Sequence, residues 1–133
     1  MNFAWASLVK TQSGFSGHMP QLDFNIDVSP EALEVVLGKL KDTIRHAARG
    51  KCFPGFVLKT GKSYHYIGLS VLNEQEWQEF LGFCLLCEEP LITGRFSPVD
   101  RRWIGHTLRR GYGDLRIYAE QGKPEPVVVR YVE

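Results

Sequence analysis

Along residues 21–29 apolar and polar positions alternate: Leu22, Phe24, Ile26 and Val28 fall on one side, Asp23, Asn25 and Asp27 on the other. A period of two predicts a half-buried strand, one face to a core and one to solvent. The period then changes. Leu33, Val36, Leu37, Leu40 and Ile44 recur at helical spacing behind Ser29, Pro30 and Glu31, a cap hydroxyl, a first-position proline and a first-turn acid. With Arg45, His46 and Arg49 in the last turn and Gly50 to close it, the pattern predicts a helix over 30–49.

The same reasoning extends along the rest of the chain. Residues 3–9 read as a strand and 11–20 as a connection. Two β-patterned runs flank Thr60, Gly61 and Lys62, so 55–72 reads as a hairpin. Asn73 with Glu76 resembles a capping box, and Trp77, Phe80, Leu81, Cys84 and Leu85 form the apolar stripe of a second helix. Residues 90–96 predict a short strand. Ser97 and Pro98 repeat the cap signal for a third helix, 97–110, ending near Gly111. Residues 113–120 and 126–133 read as a final pair of strands about a turn at 121–124, with Pro124 and Pro126 suited to an edge. The order is β-β-α-β-β-α-β-α-β-β. Hairpins with short loops imply an α+β fold, a largely antiparallel sheet with about three helices.

Composition adds bounds. A chain of 133 residues, 44% hydrophobic and 23% charged, suits a single globular domain spanning 1–133. No run of about eighteen apolar residues is present, so no membrane span is expected. The first ten residues lack the basic and apolar regions of a signal peptide. Three cysteines (Cys52, Cys84, Cys87) cannot all pair within one chain, which points to a reducing, cytoplasmic setting. Oligomeric state is not legible.

Charge is where the sequence is most specific. Net charge is +1, yet residues 95–116 hold six of the nine arginines against Asp100 and Asp114, a local +4. On a helical projection Trp103, Ile104, Thr107 and Leu108 gather on one side of the third helix; Arg102, His106, Arg109 and Arg110 gather on the other. Gly111, Tyr112 and Gly113 follow as an aromatic-bearing loop. Arginine forks match carboxylate and phosphate and stack on aromatic rings. Arg102, His106, Arg109, Arg110 and Tyr112 are therefore the candidate binding residues. Three uses are open: a solvated or internally paired face, contact with an acidic protein partner, or weak binding of phosphate or nucleic acid.

Other chemistry is thin. Cys84 and Cys87 have C-x-x-C spacing, but a structural zinc site needs a second pair, and Cys84 lies on the apolar stripe of its helix. No P-loop, dinucleotide fingerprint or metalloprotease motif occurs, and residues 60–63 resemble only the tail of a P-loop. The expectation is no cofactor and no metal. His18 reads as a solvated loop residue. His65 and His106 are the candidate acid–base pair, should the fold bring them together over the sheet as metal-independent nucleases require. Tyrosines and Phe56 on an open sheet face could line a small-molecule cleft.

The reading that follows is a non-catalytic binding protein of adaptor, inhibitor or toxin-neutralising type, working through the arginine helix and its loop. A small nuclease or phosphate-ligand enzyme using His106 and His65 is the alternative, and a small-molecule-binding domain the third.

Overall fold

The computed structural model describes residues 4–10, 12–14, 16–25, 33–35, 37–38, 54–61, 63–87, 89–91, 94–116 and 126–132. Its centre is a four-stranded antiparallel sheet built from β4 (Gln21–Asp23), β5 (Gly55–Lys59), β6 (Tyr64–Gly68) and β10 (Val127–Val132), in the order β10-β5-β6-β4. Around it lie three two-stranded pairings: β1 (Ala4–Ala6) with β9 (Asp114–Arg116), β2 (Leu8–Lys10) with β3 (Ser16–His18), and β7 (Glu89–Leu91) with β8 (Gly94–Phe96). Helix α1 is described at 33–35 and 37–38; α2 is Glu74–Leu85 and α3 Arg101–Arg110. The fold is α+β with antiparallel sheets and three helices, in the expected order.

Alternation decides which face of the sheet meets the helices. Leu22, Tyr66 and Val57 lie side by side across β4, β6 and β5 and are buried. With Phe24, Leu33, Leu37, Trp77, Phe80, Leu81, Cys84, Val99 and Ile104 they form one core. Removing this much apolar surface from water, at roughly 25 cal/mol per Å², is the main favourable term in folding. Leu33 and Leu37 bury the inward side of α1, and Glu34 pairs with Arg130 of β10. The expected start and end of the 30–49 helix lie outside the described residues.

The capping box of α2 is formed as its spacing predicts. The Asn73 side chain accepts from the Glu76 N–H at 2.8 Å, and the Glu76 carboxylate accepts from the Asn73 N–H at 3.1 Å. Cys84 is buried within this helix's apolar stripe.

The third helix starts later than Ser97 and Pro98 suggest. Val99 is taken into the core and bridges to Phe24; the Asn25 N–H donates to the Pro98 carbonyl and the Asp100 N–H to the Asp23 carbonyl, at 2.8 and 2.7 Å. Residues 98–100 thus run along the outer edge of β4, so the cap falls to Asp100, whose side chain accepts from the Trp103 N–H at 3.0 Å. Ser97 hydrogen-bonds the Val99 carbonyl instead. Asp100→Ala is expected to cost about 1 kcal/mol and Ser97→Ala less, read from urea midpoints. The reverse ranking would return the cap to Ser97.

Other short-range readings also change. Residues 3–9 break at Ser7 into two strands, and 11–20 contain β3, which pairs back onto β2. Residues 89–91 and 94–96 are two strands paired antiparallel rather than parts of one strand. Among the described residues β9 and β10 do not pair: β9 joins β1 and β10 joins β5, and the rest of the expected 113–120 strand and its turn lie outside the described residues.

Candidate functional site

Register places one polar pair on the other face of the central sheet. Asp23, His65, Leu58 and Val128 form a row across β4, β6, β5 and β10; Gln21, Ile67, Phe56 and Tyr131 form the next. The face opens gradually. Gln21 and Ile67 are buried, Phe56 and Leu58 half-buried, Val128 and Tyr131 exposed. His65 Nε2 lies 3.3 Å from Asp23 Oδ1, with the imidazole 12% exposed and the carboxylate 26%. His65 Nδ1 is buried and has no hydrogen-bond partner among the described residues. The more accessible member of the pair is therefore the carboxylate, and the imidazole orients it. Beside it, Phe56 and Tyr131 meet as a tilted aromatic pair at 5.2 Å between centroids.

Helix α3 begins directly next to this pair, through the hydrogen bond from the Asp100 N–H to the Asp23 carbonyl. Ile104 and Thr107 are its buried residues and Trp103 is half-buried, whereas Leu108, expected on the docked side, is 39% exposed. Arg101, Arg102, Gly105, His106, Arg109 and Arg110 all face solvent. Arg102 Nε approaches His106 Nε2 at 3.5 Å, a four-residue helical neighbour. Arg110 binds Asp114 at 3.0 Å and lies 5.4 Å over the Tyr112 ring, so the following loop is tied to the helix. Gly111 closes α3 at φ 87°, a left-handed conformation that glycine adopts without penalty.

Candidate binding residues are thus brought onto one surface, and among the described residues no contact joins the candidate acid–base pair. His65 sits against Asp23 on the sheet, and His106 against Arg102 on the outer side of the helix. Among the described residues the two histidines thus have different neighbours, a carboxylate for His65 and a guanidinium for His106. Nor do the described tyrosines all share one cleft: Tyr64 and Tyr66 enter the core, and Tyr131 joins Phe56.

His18 is the largest departure from its expected place. It is 1% exposed and stacks on Trp77 at 3.8 Å and 6°. The Gly113 N–H donates to Ser7 Oγ at 2.7 Å, the hydroxyl lies 3.0 Å from His18 Nδ1, and Nε2 lies 2.8 Å from Glu74 Oε2; with the Nε2 hydrogen directed at the carboxylate, Nδ1 is left to accept from the Ser7 hydroxyl. Serine, histidine and glutamate in series resemble a nucleophile relay. Ser7, however, is fully buried and its oxygen already accepts a backbone N–H, so the chain of bonds joins elements and does not face a substrate. It ties the start of α2 to the loop after α3. Gly113 also packs closely: a Cβ there would meet Gln21 Oε1 at 2.9 Å and the Trp103 ring at 3.3 Å.

Alternation marks Asp23 only as a solvent-side strand position, so the sequence does not single it out as a candidate. Its partner lies 42 residues on, and no local signal announces the pairing. Among the described residues no group of three or more His, Cys, Asp or Glu is placed to hold a metal, and no helix is long and apolar enough to cross a membrane.

Residues 2–128 match the family model described as AEP-like: Archaeo-eukaryotic primase 1D-like. The match spans nearly the whole chain, and the chain belongs to this family. No curated protein and no solved structure matches it.

Proposed function

We propose that this member of the AEP-like family binds a nucleoside triphosphate on the half-open face of its sheet, with Asp23 at the phosphate end and Phe56 and Tyr131 toward the base. The single observation that carries the reading is the Asp23–His65 pair: a carboxylate oriented by an imidazole, on an accessible sheet face, beside the first turn of a cationic helix. A bare carboxylate repels phosphate, so the reading requires a divalent cation between them. The donors fit that role in a limited way. Magnesium is commonly held by one or two carboxylates together with substrate phosphates and waters, and Asp23 supplies one. A clamp of two cations would need further carboxylates, which the described residues do not place beside Asp23. When bound, such a cation supplies charge neutralisation and Lewis acidity at a phosphoryl oxygen.

The roles of the chain's own groups follow from burial. Asp23 holds the cation. His65, with Nε2 at Asp23 and Nδ1 buried, is a positioning residue that fixes the carboxylate's orientation. Phe56 and Tyr131 offer ring surface on the same face, where base stacking contributes about 1–3 kcal/mol per base. The AEP-like family name refers to primases; synthesis of a primer is the activity this binding would serve.

Titration of fluorescent ATP and GTP analogues with and without Mg²⁺ or Mn²⁺ tests the proposal. Binding is expected to depend on the cation and to weaken at least about tenfold, or 1.4 kcal/mol, in Asp23→Asn. His65→Ala should weaken it too, while His65→Gln, which keeps an N–H for Asp23, recovers part of the loss. Binding that is equal in wild type and Asp23→Asn, or absent with every nucleotide and both cations, overturns the reading.

A further inference from the structure

The two edges of the central sheet are finished differently. Along β4 run residues 98–100, hydrogen-bonded through their backbone to Asp23 and Asn25. Along the outer side of β10 no described residue pairs with the strand, whose neighbour is β5. Such an edge presents a row of backbone N–H and C=O groups, a template for another strand. Lysine or proline on the edge is the usual protection. Val127–Val132 contains neither, and Val127, Val128, Val129 and Tyr131 are 45–57% exposed. The one charge in this strand, Arg130, is paired with Glu34 of its own chain.

A bulge at Val129 gives the edge a second property. The register passes from Val128 opposite Leu58 to Arg130 opposite Val57, so one extra residue resets the alternation. Val128 and Tyr131 therefore share the open face with Leu58 and Phe56, while Val127, Arg130 and Val132 share the other. In an unbroken strand, residues three apart would fall on opposite faces. The strand is thus matched to itself about its midpoint. Laid antiparallel against a second copy, it sets Val128 opposite Tyr131 and Val127 opposite Val132, like face against like face. Valine against tyrosine is a favourable cross-strand pair. Arg130 meets Val129, so no like charges face each other.

We infer that β10 pairs with β10 of a second copy of this chain, joining two four-stranded sheets into one of eight strands. The contact is isologous and occupies the bare edge of both copies, so it closes at two. Four half-exposed side chains per copy make a small interface. It falls below the roughly 1,200 Å² of stable complexes, which sets Kd in the micromolar range or above. A foreign strand would use the same backbone groups, but the match of faces about the midpoint serves only a copy. The inference rests on β10 and holds whether or not the sheet binds nucleotide.

Sedimentation velocity without nucleotide and in EDTA, from about 5 µM to about 500 µM, brackets micromolar association. The mean sedimentation coefficient is expected to rise with concentration from monomer to dimer and stop there. Val127→Lys with Val129→Lys puts charge on the exposed edge and should weaken association at least about tenfold, with Tm at low concentration unchanged. A variant-free measurement locates the contact: isotope-filtered NMR of mixed labelled and unlabelled wild-type protein should show intermolecular contacts between the Val128 methyls and the Tyr131 ring. A chain that stays monomeric throughout leaves the edge to another partner and overturns the inference. So does growth beyond the dimer, association undiminished by the two lysines, or a dimer lacking the Val128–Tyr131 contact.

Discussion

Truncating His18 to alanine is expected to lower the unfolding free energy by about 3–5 kcal/mol. Two losses combine. The imidazole is 1% exposed and lies flat on Trp77 at 3.8 Å, so its removal leaves a cavity against the largest side chain of the core. It also strands the Ser7 hydroxyl, whose oxygen is already committed to the Gly113 N–H. A buried polar group left without its partner costs roughly 1–3 kcal/mol by itself. The bond to Glu74 adds little, because that carboxylate is 61% exposed and water can replace the contact. Glu74→Gln should therefore be mild, within about 1 kcal/mol. A small domain has only about 5–15 kcal/mol in total, so His18→Ala is expected to leave a barely folded protein. Urea denaturation with an unchanged slope is the measurement. A His18→Ala midpoint close to wild type would show that the buried relay contributes nothing.

Gly55→Ala is expected to be comparably severe, at about 3 kcal/mol or more. Gly55 faces Gly68 across the β5–β6 pairing, and an added Cβ would lie 2.3 Å from the Ile67 carbonyl oxygen and 2.7 Å from the Gly68 Cα. Those are backbone atoms of the central sheet. They cannot rotate aside, so the strands must part. The Leu69 N–H bond to the Pro54 carbonyl lies at the same end of the ladder and would be disturbed with it. Because Asp23 and His65 depend on β4–β6 register, nucleotide binding should fall along with stability. The same chemical change at Gly105, inside α3 with nothing within 4 Å of the Cβ it lacks among the described residues, is expected to stabilise. Equal thermal shifts for the two alanine variants would contradict both assignments.

The elements whose signals are local were readable. Asn73 and Glu76 are three residues apart, and their capping box forms as the spacing demands. The stripe of Trp77, Phe80, Leu81 and Cys84 is the buried side of α2, and the cationic side of α3 is exposed as the projection requires. The hairpin about Gly61 needs only its turn and two flanking runs. Where local signals compete, they misled. Ser97 and Pro98 form a good cap motif, but pairing with β4 drew Val99 into the core and moved the helix start to Asp100. His18 stands in a glycine-rich stretch that reads as solvated, and it is buried because Trp77 and Ser7, distant in sequence, close around it.

What the sequence alone determined is the set of amphipathic pieces, their order, the α+β class and the concentration of arginine on one helix. All of these depend on residues within a turn or two of each other. Tertiary structure decided which strands are neighbours. With that it brought Asp23 to His65, left His106 exposed beside Arg102, and set the start of α3 beside the pair. The physical reason is that strand partnership depends on closing long loops, whose cost grows only slowly with length, so neighbouring and distant partners compete on nearly equal terms. Packing of the whole core, rather than any short motif, settles that competition and thereby the place where the candidate site is assembled.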